Sequence, residues 1–135
     1  MYIKDVMKTK PYFLHKDDTI ASAYELMSSK KIRHIPIINE NQELIGLVTQ
    51  RDIAGALAKR EESMKIAKIM KKEIITVCPD TPLKGVIEVM ILNKYGCLPV
   101  VDSNNKLIGI VTETDMLQTL YEVATLPADF YKIEK

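Results

Sequence analysis

Apolar residues recur along this chain with two different periods, and the alternation between them outlines its elements. Tyr12-Phe13-Leu14 is a short apolar run that predicts a strand. Asp17, Asp18 and Thr19 are cap-type residues, and after them Ile20, Ala23, Tyr24 and Met27 fall three and four apart, predicting a helix with one apolar face. Ile35-Pro36-Ile37-Ile38 and Leu44 to Thr49 are β-rich runs on either side of the polar Asn39-Glu40-Asn41-Gln42-Glu43, so they predict a hairpin. A second helix is predicted from about Arg51 to Lys59. The pattern then repeats. Ile74 to Val77 predicts a strand, and Asp80, Thr81 and Pro82 precede a helix whose apolar face is Leu83, Val86, Ile87 and Met90. Val100-Val101 and Leu107 to Thr112 flank Asp102-Ser103-Asn104-Asn105-Lys106, and a last helix runs from about Thr114 to Ala124, with Pro127 ending it before a short tail.

The recurrence is a true duplication. Shifting the chain by 63 residues aligns residues 1–57 with 64–120 without a gap, and 17 of the 57 pairs are identical. The strongest block is Leu44-Ile45-Gly46-Leu47-Val48-Thr49 against Leu107-Ile108-Gly109-Ile110-Val111-Thr112, each followed by an aspartate, Asp52 and Asp115. The expected organisation is thus two β-α-β-β-α units, residues 1–63 and 64–135, joined by the charged stretch Lys59 to Lys65. A unit of about 60 residues buries too little surface to be stable alone, so the two must pack on each other.

Composition narrows the function. Of the 135 residues 47% are hydrophobic and 27% charged, the balance of a globular chain. The net charge is +1 and neither copy is basic, so there is no electrostatic footprint for nucleic acid. Cys78 and Cys97 stand in no metal-ligand or disulfide spacing, and no metal site is expected. The first residues lack a signal-peptide pattern and no run approaches 18 apolar residues, which predicts a cytoplasmic protein without membrane insertion. A Walker-type Gly-Lys element and a nucleophile paired with a base are both missing, so catalysis has little support and no catalytic cofactor is expected. His34 alone reads as a ligand-contact or hydrogen-bonding residue.

The chemistry worth following is at Thr49-Gln50-Arg51-Asp52 and Thr112-Glu113-Thr114-Asp115, where a strand meets a helix. Free N–H groups and the positive end of the helix dipole suit an anion there. A threonine hydroxyl can donate to a phosphate, and an ionised aspartate accepts from a donor such as a ribose hydroxyl. The plain alternative is that Thr49 and Thr112 are helix caps and the aspartates favour the dipole.

Arg33-His34-Ile35-Pro36-Ile37 with the Leu44 to Asp52 block, and Gly96-Cys97-Leu98-Pro99-Val100 with the Leu107 to Asp115 block, make the chain resemble a tandem pair of cystathionine-β-synthase (CBS) domains, also called a Bateman module. The resemblance covers Val6 to about Leu120. It implies an α/β (α+β) fold, two repeats packed sheet to sheet in pseudo-twofold symmetry, with two clefts between them, each able to take an adenosine derivative such as an adenine nucleotide or S-adenosylmethionine. Carried over residue by residue, it places Thr49 and Asp52 with His34, Ile35, Pro36 and Tyr12 in one cleft, and Thr112 and Asp115 with Cys97, Leu98, Pro99 and Ile75 in the other. It also implies a homodimer and regulation of a separate partner protein.

The copies differ where charge matters. Arg33, His34 and Arg51 in the first stand against Gly96, Cys97 and Thr114 in the second, so the Thr49/Asp52 cleft is expected to prefer the more phosphorylated ligand. Two functions compete: a non-catalytic ligand-sensing module, and a ligand-independent adaptor or dimerisation module of the same fold.

Overall fold

The computed structural model describes residues 1–124; Pro127 and the tail lie outside the described residues. Six strands form two three-stranded sheets: β1 (Lys8–Thr9), β2 (Leu14–His15), β3 (His34–Ile38), β4 (Leu44–Thr49), β5 (Cys97–Val101) and β6 (Leu107–Thr112). Four helices accompany them: α1 (Ile20–Lys30), α2 (Gln50–Ala58), α3 (Leu83–Asn93) and α4 (Glu113–Val123). One sheet runs β2-β3-β4 and the other β1-β6-β5.

The order of the second sheet shows how the repeats are joined. β1 belongs to the first copy in sequence but pairs antiparallel with β6 of the second, Lys8 opposite Ile110 and Thr9 opposite Gly109. Sixty-three residues on, Lys71 returns the exchange, since it donates to and accepts from the backbone of Leu47 in β4 at 2.9 and 3.0 Å. The residues before these strands follow them. Ile3 is fully buried in the cluster of Val86, Leu98, Val100 and Val111, and Ile66 in that of Ile20, Ile35, Val48 and Ile53. Each hydrophobic core is therefore completed by the leading segment of the other copy, and neither sequence repeat closes a core by itself.

The matched glycines make the exchange possible. A Cβ on Gly109 would meet Met7 Sδ at 2.9 Å and the Lys8 carbonyl oxygen at 3.0 Å; one on Gly46 would meet Met70 Sδ at 2.5 Å and the Lys71 oxygen at 3.3 Å. Strand glycines of this kind mark the close approach of another backbone. Between the sheets, Leu47, Cys97 and Ile110 form a small buried cluster with Ile74 against it. At the far end the hairpin loops meet through Leu44 N–H donating to the Asn105 oxygen and Leu107 N–H to the Gln42 oxygen.

The helices and hairpins lie where the residue pattern puts them. One expected strand does not form: Ile74 to Val77 is reduced to a single bridge, Val77 opposite Val100. In the first copy the ladder continues to His15 opposite Ile38. Continuing a parallel ladder by that step needs the next N–H as donor, and where the first copy has Lys16 the second has Pro79, which has none.

Candidate functional site

Both Thr-x-x-Asp elements are helix caps. Thr49 Oγ1 accepts from the Asp52 N–H at 3.2 Å while Asp52 Oδ2 accepts from the Thr49 N–H at 3.1 Å, a reciprocal capping box at the start of α2. Thr112 and Asp115 repeat it at the start of α4, at 3.2 and 2.8 Å. The capping role is therefore real; Thr49, Asp52 and Thr112 also line clefts, while Asp115 lines neither.

The cleft beside Thr112 has a volume of about 790 Å³, and that beside Thr49 about 510 Å³. Each is built across the repeats. The Thr112 cleft takes Thr112, Glu113 and Thr114 from the second copy, and from the first the segment Met7 to Tyr12, the end of α1 and Arg33 and His34. The Thr49 cleft takes Thr49, Gln50, Arg51 and Asp52 from the first copy, and from the second Ile74, Ile75, Lys94, Tyr95, Cys97 and Leu98, again with Arg33 and His34.

This corrects the grouping expected from the resemblance. Tyr12 lies with Thr112, and Ile75, Cys97 and Leu98 lie with Thr49. The cause is the strand exchange: β1 is hydrogen-bonded to β6 and carries Tyr12, a few residues on, into the other copy's cleft. Ile35, Pro36 and Pro99 are buried in their strands and line neither cleft. Asp115 is only 8% exposed and sits behind Thr112.

The two carboxylates differ in their commitments. Asp115 Oδ2 accepts from both the Thr112 N–H and the Thr112 hydroxyl, the latter at 3.0 Å, and Oδ1 lies 3.4 Å from Lys8 Nζ on the crossing strand. Lys8 is 66% exposed, so the ion pair adds little stability, but it places a cation at the carboxylate from the other copy. Among the described residues Thr49 Oγ1 donates to no side chain and Asp52 has no ion pair, so the Thr49 cleft keeps both groups available.

The charge order also reverses the expectation. Among the described residues the Thr112 cleft is lined by Lys8, Lys10, Lys30, Lys31 and Arg33 against one acid, Glu113. The Thr49 cleft sets Arg33, Arg51, Lys71 and Lys94 against Asp52, Glu73 and Glu113. Arg33 and His34 serve both clefts and give no preference, while Arg51 lines only the Thr49 cleft. Most of the added cations are lysines that resemble ordinary solvated surface residues in the sequence. Two signals for them were there: Lys8 matches Lys71 and Lys31 matches Lys94 in the alignment of the copies. Lys31 and Lys94 also share a left-handed backbone, φ 54° and 57°, at the ends of α1 and α3.

His34 is half-buried on the wall between the clefts, with its Nε2 3.3 Å from where a Gly96 Cβ would be. Burial, and then Arg33, push its pKa below the usual imidazole value; Lys71 acts the same way and Glu113 opposes them. Cys97 is pushed up to about 12 by burial and by Asp115, so its thiol is protonated and inert at neutral pH. Among the described residues no group of three or more His, Cys, Asp or Glu could hold a metal ion, and no helix is long and apolar enough to cross a membrane.

Two exchanged repeats with clefts at capped helix starts define a paired-repeat α/β module, and comparison with known proteins supplies its family. The CBS domain model matches twice, over residues 3–59 and 66–122, and the chain belongs to that family. CBS domain pairs are regulatory modules. Among similar proteins is an uncharacterized 17.7 kDa protein of Acidianus ambivalens, 30% identical over 92% of this chain and 76% of its own length. A homoserine O-acetyltransferase of Methanococcoides burtonii is 34% identical over 84% of this chain, which spans only 23% of that enzyme. Among solved structures, the CBS domain pair of protein MJ0100, in complex with 5'-methylthioadenosine and S-adenosyl-L-methionine, superposes with a TM-score of 0.83 at 31% identity, covering 90% of this chain and 97% of that one.

Proposed function

We propose that this chain is a non-catalytic regulatory module that binds an adenosine-containing ligand between its repeats and signals the occupancy to a partner protein. The observation that carries the proposal is the construction of the two clefts. Each joins the N-terminal turn of a helix from one copy to the leading segment and strand start of the other, so a ligand there touches both copies at once. A ligand that bridges two bodies favours one mutual arrangement and shifts the population toward it. The ligands bound to the domain pair of MJ0100 support an adenosine derivative as the class. Asp52 and the donors at the start of α2 suit a ribose and a phosphate, and Tyr12 and Ile75 offer flat or apolar surface to a base. The same reading puts the boundary between sequence repeats at residues 63 and 64, places the protein in the cytoplasm as a homodimer, and gives it no catalytic residue.

Thermal unfolding with AMP, ADP, ATP, S-adenosylmethionine and NAD(H) tests it. A ligand at about a hundred times its dissociation constant adds roughly 2.7 kcal/mol, on the order of 5–10 °C for a chain of this size. Asp52→Asn keeps the cap geometry and should abolish the part of the shift that comes from the Thr49 cleft. One feature favours the adaptor reading: Ile91, Leu92, Leu117, Leu120 and Tyr121 on α3 and α4 are exposed, whereas α1 and α2 expose only Tyr24 among large apolar residues. No shift from any of these ligands would leave that reading in possession.

A further inference from the structure

We infer that the two clefts are antagonistic toward anions: a phosphorylated ligand in one weakens the binding of a second in the other, because both draw on a single arginine in a shared wall. The inference rests on the ligand-binding reading above and adds a relation between its sites.

Four residues, Arg33, His34, Gly96 and Glu113, line both clefts. These residues lie close together between the clefts. The His34 ring lies against Gly96, 3.3 Å from the position of a Cβ there, and Glu113 Oε1 lies 4.0 Å from the same point. Residues 33 and 96 are equivalent in the duplication, as are 34 and 97, so the wall is where the copies meet about their pseudo-twofold axis. A symmetric chain would supply two arginines there, one for each cleft. This chain has Arg33 in the first copy and glycine in the second, so the wall holds one guanidinium between the two sites, and Arg51, which lines only the Thr49 cleft, stands outside that wall.

A guanidinium held by a phosphate on one side is withdrawn from the other, and its planar fork cannot serve both. Glu113 faces both clefts and repels either anion, and a second anion adds repulsion across the wall. An uncharged ligand meets none of these terms. Antagonism should therefore appear with ATP and be absent with adenosine.

The test is calorimetric titration of the full chain with ATP and, separately, with adenosine. The comparison variant is Lys10→Glu with Lys30→Glu, two exposed residues that line only the Thr112 cleft. Reversing them empties that cleft of ATP. The remaining step, at the Thr49 cleft, should then be at least about fivefold tighter than the weaker ATP step of the unaltered chain. The long-range effect of the added negative charge runs the opposite way, so tightening has no trivial cause. If that affinity is unchanged or weaker, the clefts are independent and the inference is overturned. Arg33→Gln provides a second arm: both ATP steps should weaken and the double variant should then no longer tighten the remaining one, whereas persistent antagonism would remove Arg33 from the explanation. Adenosine affinities that change with the double variant as ATP affinities do would also overturn it. Failure of both probes to bind the unaltered chain would reject the ligand-binding reading itself, a result distinct from independent binding.

Discussion

The two clefts are built from equivalent positions of a duplicated sequence and share the same exchange of leading segments, yet the side chains at those positions make them unlike. The Thr49 cleft leaves its aspartate without an ion pair among the described residues and balances its cations with three acids. The Thr112 cleft buries its aspartate behind a lysine from the other copy and leaves most of its cations unopposed. Duplication supplied both with a capped helix start and a crossing strand. The residues that diverged afterwards, above all lysines on the crossing segment and at the end of α1, set what each can hold. Symmetry of the backbone is therefore a poor guide to symmetry of binding in this molecule.

The sharpest way to break the comparison is to block the exchange on one side. Gly109→Ala places a methyl group 3.0 Å from the Lys8 carbonyl, which is backbone and cannot swing away, and we expect it to cost about 2–3 kcal/mol. Gly46→Ala approaches chiefly Met70, whose thioether is flexible, and should cost about 1–2 kcal/mol. Urea unfolding of the two variants measures the difference. Equal and negligible losses would mean that the crossing strands do not depend on these contacts.

Those glycines also show what the sequence could and could not reveal. Helices and hairpins were legible because their signals are local: apolar spacing, a cap such as Thr19 accepting from the Ser22 N–H, and a polar loop between β-rich runs. The exchange was not, since Lys8 pairs with Ile110 a hundred residues away and no periodicity encodes such a partner. A glycine kept at the same place in both copies of a strand was its one trace. In the site, Thr49, Arg51, Asp52, Thr112 and Thr114 reach the clefts because they lie in the first turn of a helix whose start was legible. Pro36 and Pro99 were assigned by resemblance, but they are buried within β3 and β5 and line neither cleft.

The charge difference can be sharpened with the matched pair Lys31 and Lys94, each lining one cleft only. In water a unit charge about 8 Å away contributes about 0.5 kcal/mol, and with Lys8 paired to Asp115 the clefts differ by two charges, which favours ATP in the Thr112 cleft by about 1 kcal/mol, roughly fivefold, before screening. Lys31→Glu should weaken the tighter ATP step in a calorimetric titration, and Lys94→Glu the weaker one. The opposite assignment would restore the expectation drawn from Arg51.

The smallest effect comes from His34, which the second copy replaces with Cys97. Burial is the largest influence on its ring; Arg33 and Lys71 act with it and Glu113 against it, and together they hold the folded-state pKa below 6.5. Between the folded value and 6.5 the unfolded chain then binds more protons than the folded one, so stability is full above pH 6.5 and falls as the pH drops through that window. Chemical unfolding from pH 7.5 to 5 should show this decline, and His34→Gln should flatten it. A phosphorylated ligand beside His34 favours the imidazolium, so ATP binding near pH 6 should take up protons. Titration in buffers of different ionisation enthalpy counts them, and equal heats in all buffers would place the phosphate away from the wall.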